Sequence, residues 1–238
     1  MQITTVPTVA ALEPKGLVGK VAVVIDVLRA TSVMTTAIAN GVQSIHPVLT
    51  PDDAKEMVNP WEQGSYILAG ERQALPIPGF DLGNSPLECT PQSVMGKRMV
   101  MTTTNGTRTI RASAQAAQLF IGSLLNAPAV AEKVRTSGND LVLVCSGTRE
   151  EFDLSDAICG GAIASMICDA QPAQVDDLTL AMMRLYEAYH RDLLGLVSMS
   201  THGQRLQQLG LDADLRYCLQ VGVSDVVPVY RNGVITRS

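Results

Sequence analysis

Val21-Ala22-Val23-Val24-Ile25, followed at once by Asp26-Val27-Leu28-Arg29-Ala30-Thr31-Ser32, decides the fold of this chain. Five apolar residues with no alternation fit a strand covered on both faces, the pattern of a parallel sheet between helices. An acid, an arginine and two hydroxyls directly afterwards place polar chemistry at the carboxyl edge of that strand, where open α/β sheets bind their ligands. Two further segments repeat the arrangement. Thr102-Thr103-Thr104-Asn105-Gly106-Thr107-Arg108 follows Arg98-Met-Val-Met, and Cys145-Ser146-Gly147-Thr148-Arg149 follows Leu141-Val-Leu-Val.

Working outward, Ser44–Leu49, Tyr66–Ala69 and Leu119–Ile121 read as further strands. Helices alternate with them. Thr31 or Ser32 is expected to cap a helix ending at Asn40-Gly41, Pro51-Asp-Asp opens a second, and Thr90-Pro91 sets an N-cap with proline at the first helical position. Residues 106–117, 127–135 and 154–168 supply three more, and Leu178, Met182, Leu185, Tyr189 and Leu193 put one apolar stripe on a helix over 175–195. Val226–Arg231, Asn232-Gly233 and Val234–Arg237 form a hairpin signal, because Asn-Gly suits a type I′ turn. The expected architecture is therefore three-layer α/β/α with a mainly parallel or mixed central sheet, a long ordered loop at 70–89, and a helical C-terminal part ending in a β-hairpin. Residues 1–238 read as one domain, divisible at most into subdomains of about 1–172 and 173–238.

Composition bounds the function. A net charge of −5 argues against nucleic acid or anionic membrane as the main partner. Yet arginine outnumbers lysine 13 to 5, and Arg29, Arg72, Arg108 and Arg149 all sit in the polar loops. Planar guanidinium forks, hydroxyls and backbone amides suit a phosphate-like anion, so a small anionic metabolite is the expected partner. Met1-Gln-Ile-Thr-Thr has no signal-peptide character and no apolar stretch approaches the ~20 residues of a membrane span, which predicts a cytoplasmic protein. Five cysteines at 89, 145, 159, 168 and 218 show no C-x-x-C pair, so neither a disulfide framework nor a zinc knuckle is expected.

Asp26 has two readings: a local pairing with Arg29 or the next helix, or a catalytic or metal-ligating carboxylate. Glu71, Asp81 and Glu88 lie in an irregular segment, as loop acids or as partners of Asp26 in a metal site. Asn84 and Ser85 form a turn or contact substrate. The stretch Thr103, Thr104, Asn105, Gly106, Thr107, Arg108 and the stretch Ser146, Gly147, Thr148, Arg149 read as anion-binding loops, with Arg29, Thr31 and Arg72 beside them. Arg149-Glu-Glu-Phe-Asp153 adds acids that either reach a metal or favour the start of the following helix. His46, His190 and His202 lie outside these loops, so a serine or cysteine triad lacks its base. Leu28 breaks the D-x-D pattern of haloacid-dehalogenase phosphatases, and four residues from Cys145 to Arg149 are too few for the cradle of tyrosine-type phosphatases. Two other classes remain: a non-catalytic binding protein for an anionic metabolite, and a cysteine hydrolase similar to isochorismatase-like enzymes that uses Asp26, a lysine such as Lys97, and Cys145.

Taken together, VIDVLRATS (24–32), Gly70-Glu-Arg with PGFDLGNSPLE (78–88), TTTNGTR (102–108) and CSGTR followed by acids and an Asp-Ala helix (145–157) resemble the 2-phosphosulfolactate phosphatase family. That resemblance implies an α/β phosphatase, Mg2+-dependent, hydrolysing 2-phospho-3-sulfolactate to 3-sulfolactate and phosphate, a step towards coenzyme M. On this reading Asp26, Glu71 and Asp81 hold the metal and do the chemistry; the apolar stripe of the 176–194 helix, separately, reads either as a homo-oligomer contact or as intramolecular core. The chain departs from the family pattern after CSGTR, where Glu150 replaces a glycine and Asp153-Leu-Ser155-Asp156 replaces Ser-Leu-Glu-Asp.

Overall fold

Val21–Ile25 is buried at every position, as an unbroken apolar run requires, and it lies deep within the sheet. The computed structural model describes residues 1–238. Its strands are β1 (Gln2–Val6), β2 (Val21–Ile25), β3 (Ser44–Pro47), β4 (Tyr66–Arg72), β5 (Leu75–Pro76), β6 (Arg98–Thr102), β7 (Gln118–Gly122), β8 (Leu141–Cys145), β9 (Gln174–Val175), β10 (Pro228–Arg231) and β11 (Val234–Arg237). Its helices are α1 (Ala30–Ala39), α2 (Pro51–Val58), α3 (Pro91–Val94), α4 (Gly106–Ala112), α5 (Ala127–Ser137), α6 (Leu154–Ala170), α7 (Asp177–Tyr189), α8 (Leu193–Ser198), α9 (Thr201–Gln208) and α10 (Asp212–Cys218). No helix is long and apolar enough to cross a membrane.

One mixed sheet of 11 strands runs β5-β4-β6-β3-β11-β10-β7-β2-β8-β1-β9. Strands β7, β2, β8, β1 and β9 form one parallel block and β3, β6 and β4 another. The C-terminal hairpin sits between them, β10 antiparallel to β7 and β11 antiparallel to β3. Three successive antiparallel pairings reverse the second block relative to the first. The right-handed twist of about 20–25° per step, summed over the five steps from β2 to β6, turns it back by roughly 100–125°. The polar loops after β2 and β6 can therefore meet.

Layering follows the alternation of side chains. Val21, Val23, Ile25, Phe120, Leu141 and Leu143 face α5, α6 and the C-terminal helices in one core. Ala22, Val24, Leu119, Ile121, Val142 and Val144 face α1 in a second core, which also takes Ile45, Ile67, Met99 and Met101 from the other block and Ile235 from the hairpin. Helix α2 covers the far face of that block through Ala54 and Val58. The result is the three-layer α/β/α arrangement with its terminal hairpin.

Local chemistry accounts for most boundaries. Thr50 and Asp53 form a reciprocal capping box on α2, and Thr90 caps α3. Asn232 and Gly233 both take positive φ, as the hairpin turn demands. Three expectations change. Helix α1 starts at Ala30 without a side-chain cap, because the Thr31 and Ser32 hydroxyls are used elsewhere. The helix expected over 175–195 breaks into α7 and α8, because Asp192 takes the Gly195 amide as a new N-cap. Its stripe divides accordingly: Met182 and Leu193 are buried, whereas Tyr189 is exposed. Strand β1, with two adjacent threonines, was not expected; it pairs with β8 and β9.

Candidate active site

Strand β2 ends at Ile25, which leaves Asp26 at the carboxyl edge and nearly buried. Its amide donates to Thr31 Oγ1 at 3.1 Å and its carbonyl accepts from the Thr31 amide at 2.9 Å, so the Thr31 hydroxyl is used in closing this turn. Gly106 is the closest approach of the second motif. A Cβ there would lie 2.6 Å from the Ala30 Cβ and 2.8 Å from Asp26 Oδ2. Only glycine lets the TTTNGTR loop press against the aspartate. Within that loop Thr103 and Thr107 bond each other: each hydroxyl accepts the other's amide at 3.1 Å. Asn105 offers no side-chain cap to α4.

The third motif joins through Asp156, in the first turn of α6. Its Oδ1 accepts the Val27 amide at 2.9 Å and its Oδ2 the Gly147 amide at 3.1 Å, so one carboxylate staples the loops after β2 and β8. Gly147 has φ of 68°, and a Cβ there would lie 2.5 Å from the Glu151 carbonyl oxygen. The Ser146 hydroxyl is buried without a partner. Thr148 donates to Asp153 Oδ2 at 2.6 Å, and His202 Nδ1, arriving from α9, lies 2.8 Å from the same oxygen and 3.0 Å from the Thr148 hydroxyl. Beyond it the chain turns outward. Arg149 is exposed without a side-chain bond, and Arg108 meets Glu150 at 2.9 Å with both side chains about half exposed.

The end of β4 and the segment after it supply brackets. Glu71 is buried, its Oε1 accepting the Thr104 amide at 2.7 Å and hydroxyl at 2.8 Å and its Oε2 the Ala74 amide at 2.8 Å. Arg29 is buried against Asp214 of α10 at 2.5 Å and donates to the Ala74 carbonyl at 2.9 Å. Ser85 donates to the other oxygen of Asp214 at 2.6 Å, and the adjacent Asn84 has its carbonyl oxygen buried and unpartnered. Arg72 spends its guanidinium on the Glu71 and Leu49 carbonyls and on the Thr102 hydroxyl. Arg29 and Arg72 therefore tie segments together and present no open fork.

The electrostatics follow from crowding carboxylates where water is scarce. Burial, reinforced by Asp153 and Glu71 and opposed by His202, raises Asp26 to about 7. Burial and the neighbouring Asp153 and Asp26 hold Asp156 well above its usual range. Asp153 moves the opposite way: burial is outweighed by its bonds from His202, Ser155 and Thr148. Asp26 Oδ2 is the one oxygen in this set of four carboxylates, Asp26, Glu71, Asp153 and Asp156, that accepts no hydrogen bond within the protein.

Two expectations require correction. The trio Asp26, Glu71 and Asp81 does not converge. Asp81 accepts the Leu68 amide at 2.8 Å beside the middle of β4 and lines a separate cavity with Tyr66 and Lys97. No three His, Cys, Asp or Glu side chains form a ready-made cage. The one donor left free, the buried carboxylate oxygen Asp26 Oδ2, suits a hard divalent ion such as Mg2+, which takes one or two carboxylates and completes its shell with water and substrate oxygens. The cysteine-hydrolase arrangement fails as well: burial and Asp156 drive the Cys145 thiol upward, away from the thiolate, and Lys97 precedes β6, at the end opposite the TTTNGTR loop.

Asp156, His202 and Asp214 were not among the expected site residues. Asp156 had a signal in the Asp-Ala start of its helix, whereas His202 and Asp214 sit in amphipathic helices with no motif around them.

The chain is similar to proteins of one family. The sequence profile of the family described as 2-phosphosulpholactate phosphatase matches residues 7–233. A probable 2-phosphosulfolactate phosphatase of Symbiobacterium thermophilum is 42% identical over 220 residues, 92% of this chain and 94% of that protein. Proteins of the same description from Caldanaerobacter subterraneus and Clostridium acetobutylicum are 40% and 41% identical, covering 100% and 99% of this chain and 99% and 100% of their own lengths. The chain belongs to the 2-phosphosulfolactate phosphatase family and is an enzyme, a phosphoric monoester hydrolase.

Proposed function

We propose that this enzyme hydrolyses 2-phospho-3-sulfolactate to 3-sulfolactate and inorganic phosphate and requires Mg2+. One observation carries the reading: Asp26 Oδ2, free of any hydrogen bond, is pressed against the Gly106 turn. In the same turn the backbone amides of Gly106 and Arg108 donate to no protein group. Asp26 is the residue that would hold Mg2+. Bound there, the ion supplies positive charge against the phosphoryl oxygens.

The protein's own groups account for the rest. Glu71 fixes Thr104 and so the course of the loop over the phosphoryl position. Asp156 fixes the amides of Val27 and Gly147. Arg149 is unpaired, and the exposed Arg108–Glu150 pair is weak enough for a substrate anion to displace it. These two forks suit the carboxylate and sulfonate, since planar guanidinium binds either bidentately. A non-catalytic sensor would have no use for four crowded carboxylates.

The test is phosphate release from phosphorylated hydroxy acids with and without a sulfonate, in Mg2+ and in chelator. Turnover should vanish with chelator, return with Mg2+, and favour the sulfonated ester by about 10–100-fold in kcat/KM, the range for losing one charge-assisted contact. Equal rates on both esters would remove the sulfonate from the assignment, and chelator-resistant turnover would remove the metal.

A further inference from the structure

Breaking a phosphate ester of a weakly acidic alcohol leaves an alkoxide, and a group that protonates the departing oxygen lowers the barrier. The bonding around His202 decides which of its nitrogens is free to do so. Asp153 Oδ2 is 2.8 Å from Nδ1, and the Thr148 hydroxyl, whose proton is directed at Asp153 at 2.6 Å, is 3.0 Å away. Both neighbours face Nδ1 as acceptors, so Nδ1 carries a hydrogen. Nε2, on the opposite side of the ring, has no protein partner. Asp153 is itself fixed, its other oxygen accepting the Ser155 amide at 2.9 Å while it caps α6.

We propose that His202 is the general acid of this hydrolysis, giving its Nε2 proton to the ester oxygen as the bond from that oxygen to phosphorus breaks. The inference rests on the hydrolase reading above. The electron pair of the broken bond stays on the ester oxygen, which takes the proton and leaves as the hydroxy acid. The oxygen of water forms the new bond to phosphorus, and the proton that this water releases restores the imidazolium. Asp153 and Thr148 act as positioning residues that fix the ring and its tautomer.

The surroundings favour the charged ring. Burial disfavours the imidazolium and Arg29 opposes it, but the Asp153 bond and charge, with Asp26 behind them, more than offset both, so the group is raised above its ordinary range. Sequence alone gives no hint of this role, because His202 lies 49 positions from Asp153 on a helix without a motif.

Leaving-group dependence tests the role. A 4-nitrophenyl ester departs without protonation, whereas 2-phospholactate, an alkyl ester, does not. His202→Asn keeps an amide nitrogen near the Nδ1 position and removes Nε2. It should lower kcat on 2-phospholactate by ~10²–10⁴-fold and on 4-nitrophenyl phosphate by less than about tenfold. The wild-type protein supplies a readout that needs no variant. Its kcat on the alkyl ester should fall as pH rises through the His202 titration, while the aryl ester shows no such fall. Ionisation of Asp26 would act on both esters alike, so the difference between them isolates His202. Equal losses on the two esters in the variant, or parallel pH profiles in the wild type, overturn the assignment. A wild-type enzyme that releases phosphate from neither ester overturns the hydrolase reading and this inference together.

Discussion

Asp26 stands out in the sequence because it is a lone acid ending an apolar run, and the fold makes it costly to ionise. Burial beside Asp153 and Glu71 raises it from 3.8 to about 7. Between those values the folded protein holds a proton that the unfolded chain has released. This contribution to stability is complete below 3.8 and is lost as pH rises through 7. Asp26→Asn should therefore raise the melting temperature relative to wild type at about pH 8, with the difference closing near about pH 4. The same variant should lose activity by about 100-fold or more. An equal melting difference at both pH values would mean that the buried charge is not its source. Other residues of the site were illegible for a geometric reason. Asp156 reaches Val27 across 129 positions and Asp214 reaches Arg29 across 185, and no local pattern encodes such pairings.

At the scale of elements, short-range chemistry was readable and its use was not. The stretch from Thr102 to Arg108 correctly announced a strand end and a helix start, but not that its glycine is a point of close approach. Yet the hydroxyls of Thr103 and Thr107, which invite a reading as phosphate ligands, close the turn on each other. The decisive contact is the seat of α4 against α1 at Gly106. Gly106→Ala has to separate the helices or displace Asp26, so it should cost about 1–3 kcal/mol in denaturant unfolding, as overpacking does. It should also reduce turnover. A loss under about 0.5 kcal/mol would mean the loop yields without strain. The same limit explains the broken helix after Tyr189: periodicity continues through the stretch, but Asp192 offers the Gly195 amide a better partner than the helix can.

For the whole molecule, strands and hairpin were legible from apolar runs and Asn-Gly, while their spatial order was not. Nothing near Val229 or Ile235 announces that they pair with Phe120 and Ile45. The hairpin takes the central place in the sheet and joins two parallel blocks, and Val226, Val227, Val229 and Ile235 complete cores on both faces. Removing residues 225–238 should expose the edges of β7 and β3 and abolish the cooperative thermal transition seen by circular dichroism. A sharp transition in the truncated chain would show that the blocks are held by something else.

That placement also dictates the order of events during synthesis. The stretch that closes the middle of the structure is made after both parallel blocks, so the nascent chain must carry two half-finished rims, each able to recruit a stranger's backbone, until that stretch emerges. The loops after β2 and β6 belong to blocks joined only through this hairpin, so the site between them cannot close before residues 228–237 have been made.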